Sequence, residues 1–182
     1  MEFEPTSIPD VVLIRPRVFG DERGFFLESW AETTFAGAGL GMKFVQDNHS
    51  RSGRHILRGL HYQIEQTQGK LVRVTRGSVF DVAVDIRRSS PTFGRWVGVT
   101  LSEENHHLLW VPEGFAHGFL VLSESADFLY RCTDFYAPQH ERAIRWDDPQ
   151  LGIRWPLPDG TVPILSQKDA AAPWFRDAEY FP

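Results

Sequence analysis

The chain has 182 residues, of which 42% are hydrophobic and 13% aromatic, and its formal net charge is −5. The apolar content excludes a disordered chain, the length suits a single domain over residues 1–182, and the lack of any run of Lys and Arg argues against nucleic-acid binding. With one cysteine, no signal-peptide pattern and no stretch near the roughly 20 apolar residues of a membrane span, we expect a cytoplasmic protein that binds no membrane.

Short β-strands are the main elements that the pattern predicts. In chain order the candidates are 11–15, 24–30, 43–49, 56–64, 69–75, 78–86, 95–101, 107–111, 117–122 and 126–134. In 78–86, apolar side chains alternate with Asp81 and Asp85, which predicts one apolar face and one polar face. A short helix is predicted over 32–38, and the Pro-, Asp- and Trp-rich chain after about residue 136 is predicted to be an ordered wrapping tail.

This succession of closely spaced strands predicts the fold class. Many short strands separated by turns are typical of an all-β sandwich or jelly-roll β-barrel. A small barrel of this kind often holds one ligand in its mouth. The fold alone says nothing about chemistry, so function has to be sought in particular side chains.

The segment RGLHYQ, residues 58–63, holds a candidate pair, Arg58 and His61. Residues three apart on a regular strand point to opposite faces, so these two side chains share a pocket only if the strand bulges, which Gly59 would permit. Spacing alone favours a plainer alternative, a hydrogen-bonded core histidine beside a surface arginine.

Two other strands place polar side chains on apolar faces. Lys70 shares a face with Val72, where an ammonium group is unfavourable unless it is paired, functional or extended to water at the strand end. Tyr130 shares a face with Phe128 and is more often a core residue than a proton donor in such a setting. Cys132, on the same strand face, is predicted to be a small buried hydrophobe.

The segment PEGFAHGF places Pro112, Gly114 and His117 in the P-x-G-x-x-H spacing of a cupin metal motif. A cupin metal site usually also needs an H-x-H pair, and here the corresponding strand has His61 followed by Gln63. A cation such as a nearby lysine would also oppose metal binding. A metal-dependent cupin enzyme therefore remains the less favoured alternative.

Two further sites carry plainer predictions. The pair His106–His107 follows SEEN in a predicted turn and is expected at the surface. Asp169, in LSQKDAA, is expected to be a helix N-cap or an exposed charge, although a carboxylate from this segment could also orient His61.

Taken in order, these segments resemble one enzyme family, the dTDP-4-dehydrorhamnose 3,5-epimerases, which are cupin-fold enzymes of deoxysugar biosynthesis. The matching stretches, within residues 8–173, are VFGDERGFFLESW, FVQDNHSRS, LRGLHYQ, QGKLVRVTRGSVFDVAVDIRRSSPTFGRW, LWVPEGFAHGF, FLYRCTDFY and LSQKDAAAP. The resemblance implies a cupin jelly-roll barrel, a homodimer in which an N-terminal segment of one subunit reaches the other's site, and no metal or other cofactor.

The resemblance also implies roles for individual residues. His61 would be the proton acceptor and Asp169 its carboxylate partner, Tyr130 the proton donor, and Lys70 the cation beside the C4 oxygen of the substrate. Further residues would line the pocket or hold the nucleotide and sugar: Arg23, Glu28, Gln46, Asn48, Arg58, His117, Tyr136, Glu141 and Lys168. The implied reaction inverts C3 and C5 of dTDP-4-dehydro-6-deoxy-D-glucose. Inversion of C3 alone, ketone isomerisation and a non-catalytic sugar-binding barrel are the alternatives.

Overall fold

In the computed structural model, which describes all 182 residues, the chain forms thirteen short β-strands and two short α-helices. The strands are β1 Glu2–Pro5, β2 Val12–Arg15, β3 Val18–Asp21, β4 Gly24–Leu27, β5 Gln46–Gly53, β6 Leu57–Gln63, β7 Lys70–Arg76, β8 Ser78–Asp85, β9 Trp96–Ser102, β10 Leu108–Val111, β11 Phe115–Val121, β12 Ser125–Cys132 and β13 Glu141–Ala143. The helices are α1 Glu32–Gly37 and α2 Gln167–Ala170. No helix is both long enough and apolar enough to span a bilayer.

The strands form two antiparallel sheets and a separate hairpin. The six-stranded sheet has the order β1-β2-β10-β7-β12-β5, and the five-stranded sheet has the order β13-β6-β11-β8-β9. No strand belongs to both sheets, and β3 and β4 pair only with each other. Two packed antiparallel sheets are the arrangement of the double-sheet jelly roll, so the predicted all-β class is confirmed.

The main apolar core lies between the two sheets, because side chains from both contribute to one buried cluster. Val72 and Phe128 come from the six-stranded sheet, and Ala83 and Phe119 come from the five-stranded sheet. Inward-facing residues alternate with outward-facing ones along each strand, so polar groups at inward positions are enclosed between the sheets. This enclosure is what brings the candidate functional residues together.

The chain after about residue 136 is an ordered wrapping tail, as predicted, and in the structure it covers the outer face of the five-stranded sheet. Ile144, Leu151 and Phe175 from the tail pack against Leu60 and Val84 of the sheet. Tyr62, which points outward, donates a hydrogen bond of 2.5 Å to the carbonyl oxygen of Glu179. The tail thereby buries an apolar sheet face that would otherwise meet water.

Each of the ten predicted strands overlaps an observed strand, and the predicted helix corresponds to α1. The prediction missed β1, β3, β13 and α2, and it began β5 three residues too early. The missed elements have only three or four residues each, which is too short for periodicity to distinguish them from loops.

The two faces of β8 alternate as predicted, but the face that carries Asp81 is not exposed to solvent. Asp81 and Asp85 have no accessible surface, and Asp81 faces the core between the sheets. The presence of Val79 and Ala83 on the same face was the sequence signal for its burial, because an exposed strand face would be more uniformly polar.

Candidate active site

A cavity of about 150 Å³ opens between the two sheets. The five-stranded sheet supplies Arg58, His61 and His117 to its lining, and the six-stranded sheet supplies Lys70 and Tyr130. All five were candidate site residues in the sequence, although they are up to 72 positions apart along it (130 − 58). The remaining lining residues are Ser50, Gly118, Phe119 and Phe128.

A bulge between β6 and β11 lets Arg58 and His61 line the same cavity. His61 pairs with His117 and Arg58 pairs with Phe119, so three steps along β6 oppose two steps along β11. Gly59 lies within the bulge and has a φ of +131°. A Cβ at this position would lie 2.5 Å from the Cα of Gly118. The strand therefore has the irregularity at Gly59 that a shared pocket requires.

His61 forms a close pair with Asp169 from α2. The distance from His61 Nε2 to Asp169 Oδ1 is 2.5 Å, and the Asp169 side chain is 3% exposed. Burial would raise the pKa of Asp169, but hydrogen bonds from His61 and Ser166 outweigh it, so the pKa lies below its ordinary value. An ionised carboxylate only accepts, so the imidazole donates from Nε2 and its Nδ1 lone pair is left to accept a proton.

The prediction that Asp169 is a helix cap or an exposed charge was wrong. The N-cap of α2 is Ser166, whose Oγ accepts a hydrogen bond of 3.1 Å from the Asp169 backbone N–H. This cap fixes the short helix, and Asp169 in its first turn is turned inward to His61. Ser-x-x-Asp in the segment SQKD is a capping pattern that could have located the helix start from the sequence.

Lys70 and Tyr130 lie on the wall opposite His61. In the antiparallel pairing of β7 and β12, Lys70 is opposite Cys132 and Tyr130 is opposite Val72, which places both functional side chains on the inner face. Burial raises the pKa of Tyr130 above its ordinary value of 10.0, so its phenol stays protonated at neutral pH. Burial lowers the pKa of Lys70, which takes part in no ion pair of the structure.

A second imidazole–carboxylate pair lies deeper between the sheets. His117 Nε2 lies 2.9 and 3.0 Å from the two carboxylate oxygens of Asp81, and both side chains are buried. Asp81 was not a candidate in the sequence, where it was assigned to a polar face. Its hydrogen bonds hold the imidazole of His117 in one orientation at the cavity wall.

Polar residues at one side of the cavity form a hydrogen-bonded network. Glu141 Oε2 accepts hydrogen bonds from the hydroxyl of Tyr136, at 2.7 Å, and from the ammonium group of Lys168. Gln46 bonds to Asn48 through its side chain and accepts a hydrogen bond from the backbone N–H of Tyr136. Burial would raise the pKa of Glu141, but the bonds from Lys168 and Tyr136 outweigh it and the pKa lies below its ordinary value.

Comparison with known proteins identifies the family of this chain. The family model described as dTDP-4-dehydrorhamnose 3,5-epimerase matches residues 5–177. The chain belongs to this family. A curated 3,5-epimerase from Pseudomonas aeruginosa is 63% identical over 97% of each chain, and one from Salmonella typhimurium is 59% identical over 95% of this chain and 94% of its own.

Solved structures of the 3,5-epimerase family superpose over nearly the whole chain. The epimerase from Legionella pneumophila, in complex with dTDP-4-keto-L-rhamnose, has a TM-score of 0.94 and 54% identity, covering 98% of this chain and 94% of its own. A 3'-monoepimerase from Streptomyces bikiniensis, in complex with dTDP-quinovose, has a TM-score of 0.87 and 37% identity, covering 93% of this chain and 86% of its own. The fold is therefore that of the epimerase family.

Of the residues that the resemblance to the 3,5-epimerases implies in binding, Arg23 and Glu28 neither line the cavity of their own chain nor join the hydrogen-bonded network beside it. Arg23 lies at the exposed turn of the β3–β4 hairpin and pairs with Asp21, and Glu28 accepts a hydrogen bond from Thr34. The same hairpin exposes large apolar side chains: Val18, Phe19, Phe25 and Phe26.

The histidines of the sequence motifs are all engaged in other contacts. His61 and His117 are paired with carboxylates, Gln63 bonds to backbone atoms, and no three His, Cys, Asp or Glu side chains come together as metal ligands. His106 and His107 lie outside the cavity, both partly buried, with His106 against Phe25.

Proposed function

We propose that this chain inverts C3 and C5 of dTDP-4-dehydro-6-deoxy-D-glucose to give dTDP-4-dehydro-L-rhamnose, the reaction after which its family is named. The observation that carries the proposal is the placement of a His61–Asp169 pair on one wall of a cavity and of Tyr130 and Lys70 on the other. Inversion at carbon needs a base on one face and an acid on the opposite face, and this arrangement supplies both.

In the first half of each inversion His61 acts as the base. The C–H bond next to the C4 ketone breaks, its proton goes to Nδ1 of His61, and its electron pair becomes part of an enolate whose charge lies on the C4 oxygen. Asp169 stabilises the imidazolium that forms, because the ionised carboxylate holds its Nε2–H. The Lys70 ammonium stabilises the enolate oxygen, and its partial burial strengthens that interaction.

In the second half Tyr130 acts as the acid. Its neutral phenol donates a proton to the opposite face of the carbanion carbon, so the configuration inverts, and exchange with water restores the protonation states of Tyr130 and His61. The raised pKa of Tyr130 fits a donor that stays protonated until a basic enolate is present. Arg58 and His117 complete the wall around the sugar.

The polar network beside the cavity is proposed to hold the nucleotide. Tyr136 presents an exposed ring that can stack on thymine, and Gln46, Asn48, Glu141 and Lys168 supply donors and acceptors around it. The diphosphate would meet the cations that lie in and beside the cavity, Arg58, Lys70 and Lys168.

We further propose a homodimer in which the β3–β4 hairpin of one subunit reaches the cavity of the other. The exposed aromatic side chains of Phe19, Phe25 and Phe26 form an apolar surface of the kind that interfaces cover. Such an exchange would bring Arg23 and Glu28 to a cavity that they do not reach within one chain.

The proposed reaction is tested by proton exchange with solvent. In D₂O the enzyme and dTDP-4-dehydro-6-deoxy-D-glucose should give deuterium at both C3 and C5, which NMR resolves carbon by carbon. Added EDTA should leave both rates unchanged. Deuterium at C3 alone would replace the proposal by a monoepimerase, and exchange at neither carbon would refute it.

Replacing Tyr130 by Phe should separate deprotonation from inversion. Phe keeps the ring contact with Phe128 but lacks the proton, so exchange from the His61 face continues while epimerised product falls by about 10²- to 10⁴-fold. The comparison of deuterium incorporation with product formation, by NMR of the same sample, measures this. Equal loss of both would show that Tyr130 is not the separate acid.

A further inference from the structure

Gln63 makes contacts that the sequence did not suggest. It ends β6, two residues after His61, and its side chain is buried, with 4% of its surface exposed. In the sequence, Gln63 was noted only because it occupies the position of the second histidine of a cupin H-x-H pair. In the structure its amide makes three hydrogen bonds to backbone atoms, two of them to the segment that carries Tyr136.

These bonds hold both peptide groups that flank Tyr136. The Gln63 Nε2 group donates to the carbonyl oxygen of Phe135 at 3.2 Å, and Gln63 Oε1 accepts from the N–H of Ala137 at 2.8 Å. The N–H of Tyr136 itself donates to Gln46 Oε1 at 2.8 Å. The backbone around Tyr136 is therefore held by two glutamine amides, although its ring is exposed.

The Tyr136 ring is also held, by a residue of the strand that pairs with β6. Gln63 is directly opposite Glu141 in the pairing of β6 with β13, and Glu141 accepts the hydrogen bond from the Tyr136 hydroxyl. Gln63 thus fixes the backbone of Tyr136, while the residue paired with Gln63 fixes its hydroxyl. One restraint comes from β6, the strand that carries His61, and the other comes from β13, which pairs with β6.

The hydrogen-bond partners around the side chain of residue 63 require an amide. Gln63 donates to two carbonyl oxygens, those of Gln66 and Phe135, and accepts from one N–H, which uses both amide hydrogens and the oxygen. A glutamate of the same shape can only accept, and a histidine has one donor when neutral. No other neutral side chain of this length offers two donors and an acceptor at once.

The geometry points to Gln63 as a positioning residue that holds the Tyr136 ring ready to stack on the planar base of a nucleoside diphosphate. This inference rests on the proposed function for the identity of the ligand. Ordering an exposed loop side chain on binding reduces affinity, and a ring that is already held avoids that loss. Gln63 would therefore act on nucleotide affinity and not on proton transfer.

The test compares Gln63→Glu with wild type for dTDP affinity by calorimetry and for KM and kcat. We expect the Kd for dTDP and the KM to rise by about 10-fold while kcat stays within about twofold, because the cavity residues are untouched. Gln68→Glu is the matched control. Gln68 also donates to a backbone carbonyl of this loop, that of Asp134, but it holds neither peptide group of Tyr136. The affinity of Gln68→Glu for dTDP should match that of wild type.

A double variant separates positioning from general damage. In a Tyr136→Ala background, Gln63→Glu should weaken dTDP binding no further, since the ring that it positions is gone. An independent further loss, or a fall in kcat at unchanged KM, would overturn the inference. If wild type binds dTDP but shows no exchange in D₂O, only the proposed reaction fails. If wild type does not bind dTDP, both fail.

Discussion

Replacing His61 by Asn should abolish deuterium exchange at both C3 and C5, with a loss of about 10²- to 10⁴-fold. Asn cannot accept a proton at neutral pH, and its amide nitrogen occupies the position of Nδ1 and not of the Nε2 that Asp169 holds, so the buried carboxylate also loses its donor. The loss of exchange per folded molecule should come from the missing base, and any loss of stability is a separate effect of the unpaired carboxylate. Exchange rates by NMR and the free energy of unfolding in urea measure the two effects separately.

His49 offers a matched control for this substitution. It also pairs with a carboxylate, that of Asp127 at 3.5 Å, but it lies on the outer face of the six-stranded sheet with its side chain 56% exposed. His49→Asn should keep wild-type exchange at both carbons. Near-normal exchange in His61→Asn would disprove the assignment of the base.

Much of the fold could be predicted because its longer strands place apolar side chains at alternate positions, toward the core between the sheets. Alternation over seven or eight residues, as in β8 and β12, is a signal that is visible in the sequence alone. The three-residue strand β13 and the four-residue helix α2 carry no such signal, since their conformation depends on packing against β6. These are the elements that deliver Glu141 and Asp169.

The candidate site was predictable in a different way. Arg58 and His61 could be placed together only through a bulge, and Gly59 indicated where it would lie. The pairing of His61 with Asp169 spans 108 positions, and nothing in residue spacing predicts a contact between a strand and a distant tail. The burial of Asp81 was overlooked because a carboxylate on an alternating strand is usually assigned to solvent.

Replacing Lys70 by Met should lower kcat/KM by about 10²- to 10³-fold, the effect of removing one donor that stabilises an oxyanion. Met fills a similar space without a charge, so the enolate loses its cation while the cavity wall keeps its packing. The dTDP affinity should change little, because Lys70 makes no hydrogen bond or ion pair with Tyr136, Glu141 or Lys168. Steady-state kinetics and dTDP calorimetry on the same preparation decide this.

The pH dependence of kcat/KM gives a second test of the role of the Lys70 charge. Since burial lowers its pKa from 10.5, the ammonium loses its charge at a lower pH than a free lysine does. Wild-type kcat/KM should therefore fall on the alkaline side before pH 10.5, and the residual activity of Lys70→Met should lack that fall. Cys132→Ser, which removes the thiol opposite Lys70, should keep it.

Replacing Lys70 by Met should raise the stability of the protein although it lowers the activity. A partly buried ammonium without an ion-pair partner disfavours folding. The free energy of unfolding of Lys70→Met should therefore be higher than that of wild type, by on the order of 1 kcal/mol. Chemical denaturation measures this directly. A variant that loses activity while gaining stability would mean that the charge is retained for the reaction, whereas a destabilised Lys70→Met would mean that Lys70 supports the fold and that the enolate is stabilised by another group.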